Sequence, residues 1–470
     1  VHYSGFIFQV ELKYILIFLR DFALKREITS RMINIGFPIT LQMIVQYVFS
    51  FTDMAFVGNY NSSGLSALTN VMAPYFIFLF FFYSVGQGLT VIISNNIGAR
   101  KNKLALRYGE NALFFNQCLS LVYFIFWFFF GKYVMFLMGA RGEILELSSG
   151  YIRILSISFL TFGVGITAGG ILQGMGKTMP IFIVIFFKTV LNIFLNWSFI
   201  FGKFGFPEFG VCGSALGSGI SNILGDILLL AVVFLQKDFK LRIKGIFKAN
   251  PLLFKKMLLL GIPMGMAGLL WQLGQTVLII FLNMRNQMFS GYAGVINNII
   301  QMTVTFYWGA AASVMILVSE YRGKKEKENI KLVNIYGLLY SFLICGIFLI
   351  LFLTFPDKLF RIFVSEKAKI DFLKTLAPYL GLIIFPKASN VIFDNSIRGL
   401  GDARFVMNLQ IFGTVYIILV GFILIIKFNL GLLGAMFAVA IDEITRSFVY
   451  IYRFYFDKSK SFKYKKLENF

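Results

Sequence analysis

Long apolar blocks constrain this chain more than any other feature. Stretches such as "YFIFLFFFYSVGQGLTVII" (75–93) and "GLLYSFLICGIFLILFLTF" (337–355) recur along its 470 residues. A helix of roughly 20 apolar residues matches the hydrocarbon thickness of a bilayer, and shorter polar gaps then become loops. With 58% hydrophobic and only 14% charged residues, the chain carries more apolar surface than a soluble protein of its length would need. The pattern predicts an all-α polytopic membrane protein. Spans are expected at 31–57, 65–96, 105–131, 150–173, 178–202 and 210–236. A second set follows at 256–283, 290–319, 331–355, 372–397, 404–427 and 431–455. That makes twelve transmembrane helices.

A formal charge of +22 raises the question of a nucleic-acid partner, and the placement of the charges answers it. Lysine and arginine cluster in alternate gaps: Arg100, Lys101, Lys103 and Arg107; Lys237, Lys240, Arg242, Lys244 and Lys248; Arg322, Lys324, Lys325, Lys327 and Lys331; and Lys458 to Lys466 in the tail. Basic loops on one side of a bilayer are the positive-inside signal, so these loops and both termini are expected in the cytoplasm. Arg141, Lys203, Arg285, Lys358, Lys367, Lys369 and Lys427 fall on the other side and weaken the bias without reversing it. The expected location is the cytoplasmic (inner) membrane, with the lipid bilayer and not nucleic acid as the partner.

Chemistry that needs histidine or clustered cysteine is not expected. Cys118, Cys212 and Cys345 stand in different apolar segments, and the single histidine, His2, lies in the N-terminal flank. There is no zinc spacing, disulfide framework or catalytic constellation, which argues against a membrane enzyme and against a resident cofactor. Within the flank, residues 1–30, the stretch "FIFQVELKYILIFL" (6–19) is short for a span and lacks a small-residue cleavage pattern. It is expected to lie in the interface. The chain opens on Val, as an alternative start codon or trimming would leave it.

The twelve spans divide into two sets of six, with lobes expected at 31–236 and 256–456, joined by a basic linker (237–255) and followed by a basic tail (457–470). The halves also match at a constant offset. "GFP" (36–38) returns as "GIP" (261–263), "SNNIG" (94–98) as "SEYRG" (319–323) and "LQGMG" (172–176) as "IRGLG" (397–401), each 225 residues later. "GVCGSA" (210–215) returns as "GLLGAM" (431–436) at 221. Any one match is weak; three at one spacing mark an internal duplication. Six spans return the chain to its starting side, so the repeats run parallel, a design of transporters with the substrate path between halves. Pro38 and Pro263 fall near the start of the first helix of each half, where a missing backbone hydrogen bond permits a hinge.

One acid stands out. Asp53 occurs in "VFSFTDMAFVG" (48–58), and a carboxylate at that depth is costly unless it is tolerated near a helix end or kept for function. The first span ends near Gly58, so Asp53 lies about 8 Å below its outer end at 1.5 Å per residue. Asn196 is at a similar level in the fifth span, Asn192 lies one turn deeper on the same face, and Ser218 in the sixth span reaches comparable depth. One carboxylate with amide and hydroxyl oxygens can hold a monovalent metal ion such as Na⁺. A buried lone carboxyl can instead carry a proton. The structural alternative makes Asp53 a helix-end group and the asparagines interhelical glue. Gln42 and Gln46 in the first span, with Gln272 and Gln275 in its counterpart, either line a substrate cavity or join helices. The 58 phenylalanines are expected mostly on the lipid face.

Together "P38…Q42…Q46…D53…VG58", "LQGMGKT" and "LNIFLNWSFIFGKFGFPEFGVCGSA" resemble the multidrug and toxic compound extrusion (MATE) transporters, in part their NorM-type bacterial branch. The resemblance covers about residues 30–455. It implies a V-shaped pair of six-helix bundles acting as a monomer. By alternating access, they would export amphipathic, often cationic organic compounds against inward Na⁺ or H⁺. It also implies a cation-coupling site on the positions of Asp53, Asn192, Asn196 and Ser218.

This chain departs from that pattern at several positions. Many relatives carry a second Asp where Asn196 stands. Lys188, one turn below Asn192, is expected to reach towards Asp53 and compete with the coupling ion. Trp271 and Lys387 replace acids that form a second cation site in NorM-type members. Asp394 is expected to pair with Arg398, and Asp442, Glu443 and Arg446 to form a salt-bridged helix end. The alternative function is a flippase for lipid-linked oligosaccharide in the same wider superfamily, which calls for a more cationic cavity than Lys188 and Lys387 supply.

Overall fold

The computed structural model describes residues 2–361 and 366–456, with the side chains of 2–24, 62, 73, 76–78 and 368 outside that description. The basic tail therefore lies outside the described residues, as do the side chains on which the interfacial reading of 6–19 rests. Helix is the only extended secondary structure among the described residues.

The first half comprises α1 (His2–Tyr60), α2 (Ser62–Gly98), α3 (Asn102–Leu137), α4 (Gly142–Ser156), α5 (Phe159–Gly174), α6 (Met179–Ile200) and α7 (Val211–Phe234). A short α8 (Ile243–Ile246) sits in the linker. The second half comprises α9 (Pro251–Arg285), α10 (Gln287–Lys324), α11 (Lys327–Thr354), α12 (Pro356–Phe360), α13 (Lys367–Leu376), α14 (Gly381–Gly399), α15 (Ala403–Gly421) and α16 (Gly431–Tyr455). Among the described residues, nine helices are long and apolar enough to cross a membrane, and α4 with α5 forms a tenth span bent by 55°. The 37-residue α2 and the 25-residue α16, whose buried charges lower its hydropathy, complete the twelve. Residues 2–30 continue α1 as a single helix.

Sequence punctuation explains the helix ends. Asn61 caps α2 by accepting from the Ser63 amide at 2.8 Å, and Asn250 and Asn286 do the same for α9 and α10 at 2.9 Å. Pro251 and Pro356 occupy first turns, where a missing amide hydrogen leaves no helical acceptor empty. Gly210, immediately before α7, has φ of +57°, a left-handed conformation that a side chain would strain.

Two hydrophobic cores each belong to one half, one around Trp127, Tyr151 and Phe159, the other around Phe348, Phe360 and Ile383. Two further cores join the halves. Ile28 to Ile39 of α1 pack among α10, α11, α14 and α16, while Met257 to Met264 of α9 pack among first-half helices. The 225-residue offset reappears here as geometry. Ser94 Oγ donates to the Ile316 carbonyl at 2.6 Å, and its repeat partner Ser319 donates to the Val91 carbonyl at 2.7 Å. Val91 and Ile316 are themselves 225 apart. Gly98 lies against the Glu320 backbone, and Gly323 against that of Asn95. Gly36 crosses Gly309, and Gly261 crosses Ser84. Glycine matters at these points because two backbones meet with no room for a side chain. The halves are clasped by a pseudo-twofold contact at the end bearing the 100–107 and 322–331 basic loops, where Arg31 and Lys324 also pair with Glu320 at 2.5 and 2.7 Å.

This contact carries a signed prediction. A methyl group on Gly98 would overlap the Glu320 carbonyl, whereas Gly294 has open space around it. Gly98→Ala is expected to lower the thermal-unfolding midpoint, costing about 1–3 kcal/mol by overpacking. Gly294→Ala should be neutral or stabilising by up to about 1 kcal/mol through helix propensity. Equal effects of the two substitutions on purified protein would refute the tight clasp.

Candidate functional site

Asp53 lies seven residues before the end of α1, and its side chain turns inward to meet α6 and α7 at 6% exposure. Ser214 Oγ donates to Asp53 Oδ1 and Ser218 Oγ to Oδ2, each at 3.3 Å, and Asn196 Nδ2 also donates to Oδ1. Asn192 supports this shell, donating to Ser218 Oγ at 2.9 Å and accepting from Asn196 at 3.2 Å. The structure thus brings together Asp53, Asn192, Asn196 and Ser218. Ser214 is an addition: it stands one turn before Ser218, a spacing that could have been read from the sequence. Gly217 makes the contact possible, because a Cβ there would occupy the position of Asn196 Oδ1.

The electrostatics of the group are unusual. Its donors are all neutral, and among the described residues no basic nitrogen lies within 4.0 Å of the carboxylate. Hydrogen bonds to neutral donors spread a charge but do not cancel it, and the desolvation of a buried anion remains. Asn196 Oδ1 is buried without a hydrogen-bond partner and lies against Gly217. Two carboxylate oxygens and an orphan amide oxygen are the hard donors that suit Na⁺; a proton on Asp53 would satisfy the same charge. No group of three or more histidine, cysteine or acidic residues positioned for a metal occurs among the described residues.

Lys188 departs from expectation. It does not reach Asp53; its electrostatic partner is Asp226 of α7, an acid not singled out from the sequence. The reason is helical phase. The stem of Lys188 crosses Gly225, where a Cβ would come within 2.8 Å of its Cδ, and this directs the ammonium towards the neighbouring aspartate. Asp226 is 8% exposed and accepts from Thr161 Oγ1 at 3.0 Å. The signal for Asp226 was the same as for Asp53, a lone acid in an apolar run, "GDILLLAVVF".

Asp53, Lys188 and Asp226 all border one cavity of about 480 Å³, within the range of small-molecule sites. Gln42 and Gln46 of α1 line it, and Trp308, Met315 and Asn395 of the second half close one side. Gln42 is held by donating to the Thr178 carbonyl at 3.3 Å. Gln272 and Gln275 do not border this cavity. Gln272 is exposed and Gln275 half-buried, and between them Gly274 packs against Ile417 and Thr414 of α15. Pro38 and Pro263 are both buried within continuous helices, two residues from the Gly36 and Gly261 crossings.

The second half balances its own charge. Lys387 Nζ lies 3.2 Å from Glu443 Oε1 and 4.7 Å over the Trp271 ring. Arg446 reaches Asp442 at 2.6 Å and Glu443 at 3.1 Å, and Asn390 donates to Glu443 at 2.6 Å. These acids and Arg446 were expected at a helix end. They lie instead in the middle of α16, facing the bundle interior with 5% exposure or less, because Lys387 and Gln410 supply partners there. Asp394 pairs with Arg398 at 2.7 Å, as its spacing implied. Cys118, Cys212 and Cys345 are free thiols.

Comparison with known proteins agrees with this architecture. The MatE family model matches twice, over residues 38–198 and 263–423, with the two matches offset by the 225 residues of the internal repeat. The chain is 27% identical over 424 residues to a probable multidrug resistance protein NorM of Thermotoga maritima, covering 90% of this chain and 91% of that one. It is 25% identical to the uncharacterized transporter YisQ of Bacillus subtilis, covering 90% and 93%. A solved multidrug resistance MATE family transporter in an outward-facing conformation superposes with a TM-score of 0.82 at 19% identity, covering 91% of this chain and 95% of that one. With twelve membrane helices, a duplicated six-helix plan and a family match spanning both halves, this chain belongs to the MatE family of multidrug-efflux membrane transporters.

Proposed function

We propose that the protein is a secondary antiporter that exports amphipathic, often cationic organic compounds in exchange for inward Na⁺ or H⁺, by alternating access. The observation that carries this reading is Asp53: a buried carboxylate bordering a cavity, wrapped in neutral donors and, among the described residues, with no basic nitrogen within 4.0 Å. Such a group is most stable when a cation or proton joins it, so its occupancy can bias two arrangements of the halves. Asn192, Asn196 and Ser218 orient it, and Ser214 adds a donor. Gln42 and Gln46 offer polar contacts to substrate, and Pro38 and Pro263 serve as hinges beside the inter-half crossings. The protein works as a monomer in the cytoplasmic membrane with the basic loops inside.

Lys387 occupies, as a tethered ammonium, the part of the second half where a cation would otherwise bind, so coupling rests on the first half alone. Little favours the oligosaccharide flippase, since the cavity sets one lysine against two aspartates where a diphosphate would require excess positive charge.

The test is uptake of a fluorescent cation into inverted vesicles with Na⁺ and pH gradients imposed separately. One of the two gradients is expected to drive accumulation, reversing when the gradient is inverted. Transport indifferent to both gradients would refute antiport.

A further inference from the structure

Asp53 already accepts three hydrogen bonds, but Asp226 accepts only one, from Thr161, and Lys188 has no carboxylate oxygen within 4.0 Å of its Nζ among the described residues. The Lys188 stem crosses Gly225, the residue before Asp226, yet Lys188 and Asp226 do not form a contact ion pair among the described residues. Both side chains are seated against glycines. A Cβ on Gly165 would collide with the Asp226 carboxylate, and one on Gly225 with the Lys188 stem. Both groups border the cavity beside Tyr83 and Phe162. An ammonium has three donors and a carboxylate about four acceptor positions, so each retains bonding capacity.

We propose that Lys188 and Asp226 form a two-point subsite for amphoteric substrates, the ammonium taking a ligand carboxylate or other anionic oxygen and Asp226 taking a ligand amine, with the apolar body against the aromatic wall. This rests on the exporter reading and adds to it a substrate class: compounds carrying both charges, in preference to simple cations. A purely cationic ligand must approach Asp226 past the field of Lys188, which repels it. A ligand with both groups satisfies both charges at once and leaves neither buried unpaired. The three ionic groups of the cavity then divide their roles, with Asp53 serving the coupling ion and the Lys188–Asp226 pair serving the substrate.

The experiment compares the free-acid and methyl-ester forms of one diaminoxanthene dye, which differ in a single negative charge. Binding is followed by fluorescence polarisation to the full-length protein in nanodiscs, without gradients. Wild type is expected to bind the acid about 10-fold more tightly than the ester, the worth of one well-placed charged contact. Lys188→Met should remove that preference and tighten the ester, Lys188→Arg should retain it, and Asp226→Asn should weaken the ester and acid alike. An equal or ester-favouring ratio in wild type, or an unchanged ratio in Lys188→Met, overturns the inference. Lys188→Gln provides the same test if the methionine variant does not fold. Nanodiscs of phosphatidylglycerol and of phosphatidylcholine separate a soluble ligand from a zwitterionic headgroup: competition by the latter would support two-point recognition with lipid as a second source. Vesicle efflux of the two dyes separates this inference from the one beneath it. Expulsion without preference defeats only the substrate class, while binding preference without gradient-driven expulsion defeats only the antiport reading.

Discussion

Asp53→Asn is expected to abolish gradient-driven efflux while leaving the protein folded, inserted and able to bind dye. The substitution keeps the shape of the side chain and an acceptor oxygen for Ser214 or Ser218, so the packing of α1 against α6 and α7 should survive. It removes the only feature that makes the group responsive to an ion, its charge. A neutral amide gains little from Na⁺ and cannot carry a proton near pH 7, so ion occupancy no longer discriminates between the two arrangements of the halves. The expected fall in transport rate is about 100-fold, the upper range of a typical coupling free energy. Thermal midpoint and equilibrium dye affinity should change little. Efflux at the wild-type rate in inverted vesicles would remove Asp53 from the mechanism.

Lys387→Met should be the most damaging single change to stability. It leaves Glu443 with Arg446 as its only cationic partner, in an interior where Asp442 already competes for that guanidinium. Removing one partner from a buried ion network costs about 3–5 kcal/mol, most of it from the charge left behind. Neutralising that charge should restore stability, so Lys387→Met with Glu443→Gln is expected to recover most of the loss. The thermal midpoints of the two single variants and the double variant give the coupling directly. Strict additivity in that cycle would show that Lys387 and Glu443 do not act as a pair. Recovery would also place the second half among self-neutralised bundles, whose stability does not depend on external Na⁺.

The two substitutions differ because the two halves treat charge differently, despite their shared origin. In the first half Asp53 is surrounded by hydroxyls and amides, none of which cancels its charge. In the second the counter-charges are supplied by covalently attached side chains, so an external ion has less to gain. The backbone repeat at 225 residues persists through both, in Ser94 with Ser319 and in Gly98 with Gly323. Duplication has been retained where backbones touch and lost where side chains carry charge.

Much of this was legible in the chain. Apolar blocks reveal spans because bilayer thickness imposes a length, and Asp53, Asn192, Asn196 and Ser218 were grouped by span direction and rise alone. Ser214 and Asp226 obeyed the same logic and were passed over. Lys188 runs over Gly225 and does not pair with Asp53, since one dimension gives its depth but not the azimuth at which its long stem leaves α6. Gln272 and Gln275 lie outside the cavity that Gln42 and Gln46 border: a repeat conserves helix order, whereas cavity lining depends on which face a neighbour covers.

By itself the sequence determined the solvent, the number of spans, the duplication and the layer in which a buried acid sits, because each depends on length and periodicity along one axis. Tertiary structure alone decided that Lys387 meets Glu443, that Asp442, Glu443 and Arg446 lie inside α16's bundle, and that residues of both halves border one cavity. Those outcomes depend on helix rotation and on where glycine lets two backbones approach, which are set by packing against distant residues.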